Sequence, residues 1–290
     1  MKKKIYVVAI ILALTLLLCS TVGCTLKDDT QKYYIEIGQV EDSRVASIVA
    51  NNTIPSCVRI TAEFPSISRT SKSSGFFISS NGYIITNRHC VVRSKNGTDL
   101  PSDKSDALEA QLKVTDTSGY TYTAKLVDYS TSADIALIRI IPPLLDVIID
   151  KEFAPLTFDT VSTPYYGDRL YTVGNPEDMG FIFSELMVAS PAIKLSSKDA
   201  HSSIILDGNI NHGNSGSPLI DVNSHVVGLV FARVESSDNS LNIAPAEKPS
   251  STYGLGCAIP AKVVTDFLDE CNVVDYLTYT PTPSGDASES

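Results

Sequence analysis

The stretch DGNINHGNSGSPLID, Asp207 to Asp221, decides how this chain is read. An apolar run is interrupted by Gly-Asn-Ser-Gly-Ser-Pro, with Ser215 held between Gly213 and Gly216. Gly, Asn, Ser and Pro all favour turns, so the segment reads as a loop between two strands. It also reads as a nucleophile set out on a tight turn, and that reading requires a base and an orienting acid elsewhere in the chain.

Four histidines are available as the base: His89, His201, His212 and His225. His89 stands where the apolar strand of GYIITNRHC stops, a position from which a side chain can face a cleft. Asp134 heads SADIALIRI, directly before a strand of Ile and Leu, where a half-buried carboxylate needs a partner and an imidazole N–H is a suitable one. The chain order is then His89, Asp134, Ser215. An esterase on an α/β sheet places its serine before the acid and the histidine, so the order excludes that fold. His212 reads as a rim residue, and His201 and His225 as surface loop residues. The histidines show no spacing that suits zinc, so no metal and no cofactor is implied.

Working outward, EDSRVASIVANN has Val45, Ile48 and Val49 at helical spacing and predicts one short helix before the strands begin. CVRITAEF alternates, and GFFISSNGYIIT reads as two strands joined at Asn81-Gly82, which predicts a meander over 58–64, 74–79 and 83–86. DIALIRII, DRLYTVG and HVVGLVFARV are β-rich runs, and the proline-rich segment 142–167 reads as a crossover between two β-rich halves. Helical pattern returns in AKVVTDFLDE after Pro260.

These motifs resemble the chymotrypsin-like serine proteases, and the HtrA (Deg) family more closely. SSGFFISSNGYIITNRHCV is similar to that family's histidine segment, SADIALIRI to its aspartate segment and YTVGNPEDMGFIFSELMVAS to its activation-loop region. ILDGNINHGNSGSPLID resembles the serine segment, and YGLGCAIPAKVVTDFL the last strand and helix. Five motifs in the correct order cover about Ser43 to Asn272. Ser217 departs from a second glycine usual in the family, and nothing in these 290 residues resembles the family's C-terminal PDZ domain, so regulation of that kind is not expected.

The resemblance implies an all-β fold, a double six-stranded β-barrel of chymotrypsin type with short N-terminal and C-terminal helices. The protease domain spans 43–275, its barrels about 55–141 and 162–260. It implies a serine endopeptidase acting on unfolded or exported proteins and peptides in extracytoplasmic quality control, through a His89–Asp134–Ser215 triad and an acyl-enzyme. The backbone N–H groups of Gly213 and Ser215 are its expected oxyanion hole, and Ile210, Val234 and Leu255 the walls of a shallow, apolar primary pocket. Family members are commonly trimers held by N-terminal segments, which makes Tyr33 and Tyr34 candidates for that contact in a homotrimer. The alternative is an inactive protease-fold lipoprotein acting as a binding scaffold.

Composition bounds these readings. The chain has 290 residues, 43% of them hydrophobic, which is enough for a sizeable core. A net charge of -10 offers no footprint for nucleic acid, and the only basic run is Lys2-Lys3-Lys4. That triplet, the apolar run Ile5 to Leu18 and STVGC together read as an export signal over 1–23, too short for a membrane span of about 20 residues. TVGC resembles the bacterial lipoprotein box, which implies lipidation at Cys24 and a lipid anchor on the extracytoplasmic face of the cell membrane. Residues 24–42 read as a tether, and 276–290 as a polar, disordered tail that cannot bury a core. Four cysteines remain: Cys57, Cys90, Cys257 and Cys271. The meander puts Cys57 near one end and Cys90 beyond the other, farther apart than the roughly 7 Å a disulfide allows, and predicts free thiols at both. The state of Cys257 and Cys271 is left open.

Overall fold

Alternation along the first strand builds the first half of the molecule. In the computed structural model, which describes residues 42–95, 104–141, 152–195, 200–237, 240–244, 252–273 and 275–280, CVRITAEF forms β1 (Cys57–Phe64) with Ile60, Ala62 and Phe64 turned inward. It pairs antiparallel with β2 (Arg69–Phe77), which leads into β3 (Tyr83–Thr86). Gly82 makes the turn between them at φ +88°, a conformation that costs a glycine little. The short β4 (Val92–Ser94) and β5 (Ala107–Glu109) form a separate ribbon. Then β6 (Gln111–Thr115), β7 (Thr121–Tyr129) and β8 (Ala136–Ile140) complete a closed barrel of order β1-β2-β3-β8-β7-β6. Closure leaves no unpaired edge, and the interior is filled by Val58, Ile60, Phe77, Ile84, Val114 and Ile138.

The second half begins with β9 (Thr157–Phe158), followed by β10 (Arg169–Gly174), β11 (Ile182–Ile193) and β12 (Ser203–Asp207). After these come β13 (Pro218–Ile220), β14 (His225–Ser237), β15 (Ser240–Ala244), β16 (Thr252–Pro260) and β17 (Leu277–Thr278). Six of them run β13-β10-β11-β12-β16-β14, and pairing of β13 with β14 closes a second barrel around Leu186, Ile204, Leu206 and Val230. The double six-stranded barrel that the family resemblance implies is therefore observed.

Among the described residues three α-helices accompany the barrels: α1 (Asp42–Thr53), the single turn α2 (Arg88–Val91) and α3 (Ala261–Glu270). Val45 and Val49 on α1, and Val264, Phe267 and Leu268 on α3, join a shared core with Phe76 from the first barrel and Tyr171 and Leu229 from the second. Each fully buried Leu, Val or Phe contributes about 1.5–3 kcal/mol relative to exposure, so this cluster holds the barrels together as one body.

Two expectations change. The first concerns β2, which begins at Arg69, earlier than the expected 74, because its polar first half pairs with β1 all the way to Phe64. The second concerns the tail expected from 276, which is docked as far as 280. There Leu277 and Thr278 pair with Thr157 and Phe158, and the Tyr279 N–H donates to the Phe158 carbonyl at 2.7 Å. A row of unpaired backbone groups beside β9 accepts a strand whatever its side chains, which composition cannot reveal. The export signal, Cys24, Tyr33, Tyr34, most of the tether, residues 142–151 and the final residues 281–290 lie outside the described residues. Among the described residues no helix is long and apolar enough to cross a membrane.

Candidate active site

Asp134 grips His89 at two points. Strand β3 stops at Thr86, Asn87 stays extended, and α2 turns the chain so that His89 faces the head of β8. The His89 backbone N–H donates to Asp134 Oδ1 at 2.9 Å, and its ring Nδ1 lies 2.5 Å from Asp134 Oδ2. Asn87 Nδ2 donates to the Asp134 carbonyl at 2.8 Å and Arg88 Nη1 to the Ser130 carbonyl at 2.9 Å, so both flanks of the pair are tied to the same loop. Burial disfavours charge on the His89 ring, yet the Asp134 carboxylate and the contact with Cys90 outweigh it and hold its pKa well above the ordinary 6.5. Burial likewise opposes ionisation of Asp134, but the His89 charge and hydrogen bonds keep its pKa below the ordinary 3.8.

Ser215 is carried by the loop from β12 to β13. Gly213 and Gly216 have φ of +88° and +86°, and a Cβ would lie 2.0 Å from the Asn175 carbonyl oxygen at the first and 2.1 Å from the Ser74 carbonyl oxygen at the second. Only glycine fits either position, for conformation and for space. The Ser215 hydroxyl donates to the Phe231 carbonyl at 3.4 Å. His89, His212, Gly213 and Ser215 line one cleft together with Arg69 and Lys72 of β2.

Three residues to which the sequence reading gave no role at the site organise this loop. Ser74 on β2 reaches across from the first barrel: its N–H donates to the Ser215 carbonyl at 2.9 Å, its hydroxyl donates to the Gly213 carbonyl at 2.6 Å, and it accepts from the Asn175 N–H at 2.9 Å. Glu177, left-handed at φ +49°, donates its N–H to the His212 carbonyl at 2.7 Å. In a trans peptide the following N–H points the opposite way, so this bond turns the Gly213 N–H away from the 175–180 loop. Among the described residues neither the Gly213 nor the Ser215 N–H meets an acceptor. Cys90 places its Sγ 3.6 Å from His89 Nε2 and 4.0 Å from the Ser215 carbonyl. Its place in the sequence, beside the histidine, was the only available signal.

All four described cysteines are free thiols, as expected for Cys57 and Cys90. Burial pushes the Cys57 thiol up and that of Cys257 to about 12, which keeps them inert. Of the expected pocket walls, Ile210 is buried and packs against Gly256, where a Cβ would come within 2.4 Å of its Cγ1. Leu255, one residue along β16 and so on the opposite face, packs with Ile205 and Cys257 instead. The Val234 side chain lies outside the described residues. His201 is half-buried, but His225, expected on a surface loop, is 5% exposed, because it starts β14 rather than ending a loop.

Two closed six-stranded barrels, with a histidine–carboxylate pair from the first facing a serine turn from the second, define the trypsin-type protease architecture. The chain matches the trypsin-like peptidase domain over residues 73–229 and belongs to that family. It is 29% identical over 201 residues to a probable periplasmic serine endoprotease, DegP-like, of Chlamydia trachomatis, covering 69% of this chain and 33% of that protein. It is 26% identical over 198 residues to the serine endoprotease DegS of Salmonella typhimurium, covering 68% of this chain and 47% of the relative. The chain thus spans a third to a half of the length of these curated relatives. Among solved structures, the HtrA-type protease AlgW with tripeptide superposes with a TM-score of 0.59 at 21% identity, over 78% of this chain and 62% of that one. The serine endoprotease from Yersinia pestis superposes with a TM-score of 0.55 at 21% identity, over 78% and 66%.

Proposed function

We propose that the chain is an exported serine endopeptidase in which His89, Asp134 and Ser215 form the catalytic triad. The observation that carries the reading is the two-point grip of Asp134 on His89, which fixes the ring orientation and the tautomer with the proton on Nδ1 and leaves Nε2 as the base. The Ser215 hydroxyl, rotated from Phe231 toward His89, gives its proton to Nε2 as Oγ attacks the peptide carbonyl. The C–N bond then breaks as the imidazolium returns that proton to the leaving amine, and water hydrolyses the acyl-enzyme by the same route in reverse. The Gly213 and Ser215 N–H groups take up the charge on the carbonyl oxygen, a role worth about 100- to 1000-fold in rate for one donor.

Substrates are unfolded or exported proteins and peptides, entering with a small or medium apolar residue against Ile210. This rests on the resemblance to HtrA proteins and on relatives described as periplasmic endoproteases. Export follows from residues 1–23, and a diacylated Cys24 would anchor the chain to the membrane, because two acyl chains hold where one does so only weakly. Trimerisation through the segment of Tyr33 and Tyr34 belongs to the same reading.

One observation favours the second reading, an inactive scaffold: the Ser215 hydroxyl is turned to Phe231 rather than to His89. A serine-directed fluorophosphonate separates the two. Covalent labelling of the parent chain, abolished in Ser215→Ala along with peptide hydrolysis, is the expected result. An unlabelled parent with native circular dichroism would leave the scaffold standing.

A further inference from the structure

We propose that Asp159, Asp221 and His225 form a binding site for a divalent transition-metal ion of the zinc class, apart from the catalytic cleft. One carboxylate oxygen from each aspartate and one ring nitrogen of His225 lie within 4.8 Å of one another. His225 Nδ1 and Asp221 Oδ2 are 3.7 Å apart. Two ligands about 2.1 Å from a tetrahedral ion are separated by about 3.4 Å, so this pair needs to close only slightly.

The carboxylates are already aimed. Asp159 is 3% exposed, and its Oδ1 accepts the Val161 and Ser162 N–H groups at 2.8 and 2.9 Å. Among the described residues its Oδ2 receives no hydrogen bond. Asp221 Oδ1 accepts the Asn223 and His225 N–H groups at 2.9 and 2.7 Å, while Oδ2 has a long bond of 3.4 Å from Asn223 Nδ2 besides the 3.7 Å approach of His225 Nδ1. Backbone donors thus hold one oxygen of each acid and leave the other for a ligand, as outer partners do in metal sites.

Charge points the same way. Two carboxylates, one buried and one half-buried, converge on a single imidazole, and burying acid groups without a cation beside them is costly. A divalent cation would offset that cost. The mixed nitrogen and oxygen set suits zinc and its transition-metal neighbours, whereas calcium and magnesium take all-oxygen sets. A solvent molecule would complete four-coordination. The ligands come from the end of β9, the β13–β14 turn and the first residue of β14, which is why no sequence spacing announces them. Tyr279 stacks on the His225 ring, with centroids 4.6 Å apart. An ion here would therefore tie the docked C-terminal strand to the second barrel, stabilising the fold and leaving the chemistry alone.

The test uses the full chain, stripped with a chelator and titrated with Zn²⁺ at neutral pH by calorimetry, with Tm followed in parallel. One Zn²⁺ per chain and a raised Tm are expected. Asp159→Asn keeps an Oδ1 for Val161 and Ser162 but removes the ligand oxygen, and Asp221→Asn does the same at the turn. Each should weaken binding by more than the roughly 10- to 100-fold that losing an outer partner costs. Should a variant not fold, Co²⁺ bound to the parent reads the ligands directly, with d–d bands of nitrogen and oxygen ligation expected. Thiolate charge-transfer bands, no saturable binding at millimolar metal, or folded variants that bind like the parent would each overturn the proposal.

Discussion

Replacing Ser74 by alanine tests whether the first barrel builds the serine turn of the second. The backbone of Ser74 keeps its bonds to Ser215 and Thr86 in the variant, so only the hydroxyl is lost. Ser74 is 1% exposed, and its hydroxyl donates to the Gly213 carbonyl and accepts from the Asn175 N–H. Removing it strands one buried acceptor and one buried donor, each costing about 1–3 kcal/mol. The two share one site and relax together, so the expected loss of stability is about 2–4 kcal/mol rather than the full sum. Freed of Ser74, the Asn175 N–H also stops tying down the 175–180 loop, whose Glu177 N–H aims the Gly213 N–H through the His212 carbonyl. Complete loss of one oxyanion donor costs about 100- to 1000-fold, which sets the ceiling, and a tenfold or larger fall in kcat is expected. KM should hardly move, because the oxyanion exists only beyond the ground state. Urea unfolding followed by circular dichroism gives the first quantity, and steady-state hydrolysis of a chromogenic peptide gives the second. A variant within about 0.5 kcal/mol of the parent, with kcat within twofold, would refute the strut.

Three further outcomes are expected. The parent's kcat/KM should climb with pH through an inflection above 6.5, since His89 acts as a base only when neutral and its pKa is raised; in Asp134→Asn burial is opposed only by the Cys90 contact, so the inflection should move to lower pH while kcat falls about 10,000-fold, as in another serine protease. Tm should be the same with and without a thiol reductant, because Cys57, Cys90, Cys257 and Cys271 are unbridged, and a lower Tm under reduction would reveal a disulfide. Mapping of cuts in an unfolded protein should show Val, Ala, Ile or Leu before the cleaved bond, with differences among them of only about 1–3 kcal/mol per methylene; dominance of Lys or Arg would mean that Ile210 does not wall the pocket.

What the sequence disclosed depended on how far each feature reaches along the chain. Alternation in CVRITAEF and the helical spacing of AKVVTDFLDE are local, and β1 and α3 appear where those patterns stand. His89, Asp134 and Ser215 were legible as candidates because each sits in a short segment of distinctive composition. The bonds around them were not, because Ser74 to Gly213 and Glu177 to His212 join residues far apart in the chain, and no local pattern marks which of them meet. Neither Ser74 nor Glu177 differs on paper from a solvent-facing residue. Strand parity explains the pocket: placing Leu255 beside Ile210 ignores that β16 turns successive residues to opposite faces, so Gly256 is the one that meets Ile210.

The same long-range bonds explain why a serine can be held so tightly on a glycine-rich turn. Gly213 and Gly216 have the greatest backbone freedom of any residues, and an isolated loop of this composition would sample many conformations. Here three of its backbone groups are tied by neighbours, the Gly216 N–H by the Val230 carbonyl, the Gly213 carbonyl by Ser74 and the His212 carbonyl by Glu177, which leaves the Gly213 and Ser215 N–H groups open among the described residues. Those neighbours belong to β14, to β2 and to the 175–180 loop, so the turn takes its shape only when both barrels have closed and docked. The 175–180 loop is itself held by Asn175, whose Oδ1 accepts the Gly180 N–H at 2.9 Å, and by the ion pair of Lys72 with Asp178. That exposed pair contributes little stability alone. Because it links β2 to the residue beside Glu177, however, it is the weakest member of the set that orients Gly213, and the one whose loss would loosen the site while leaving the barrels folded.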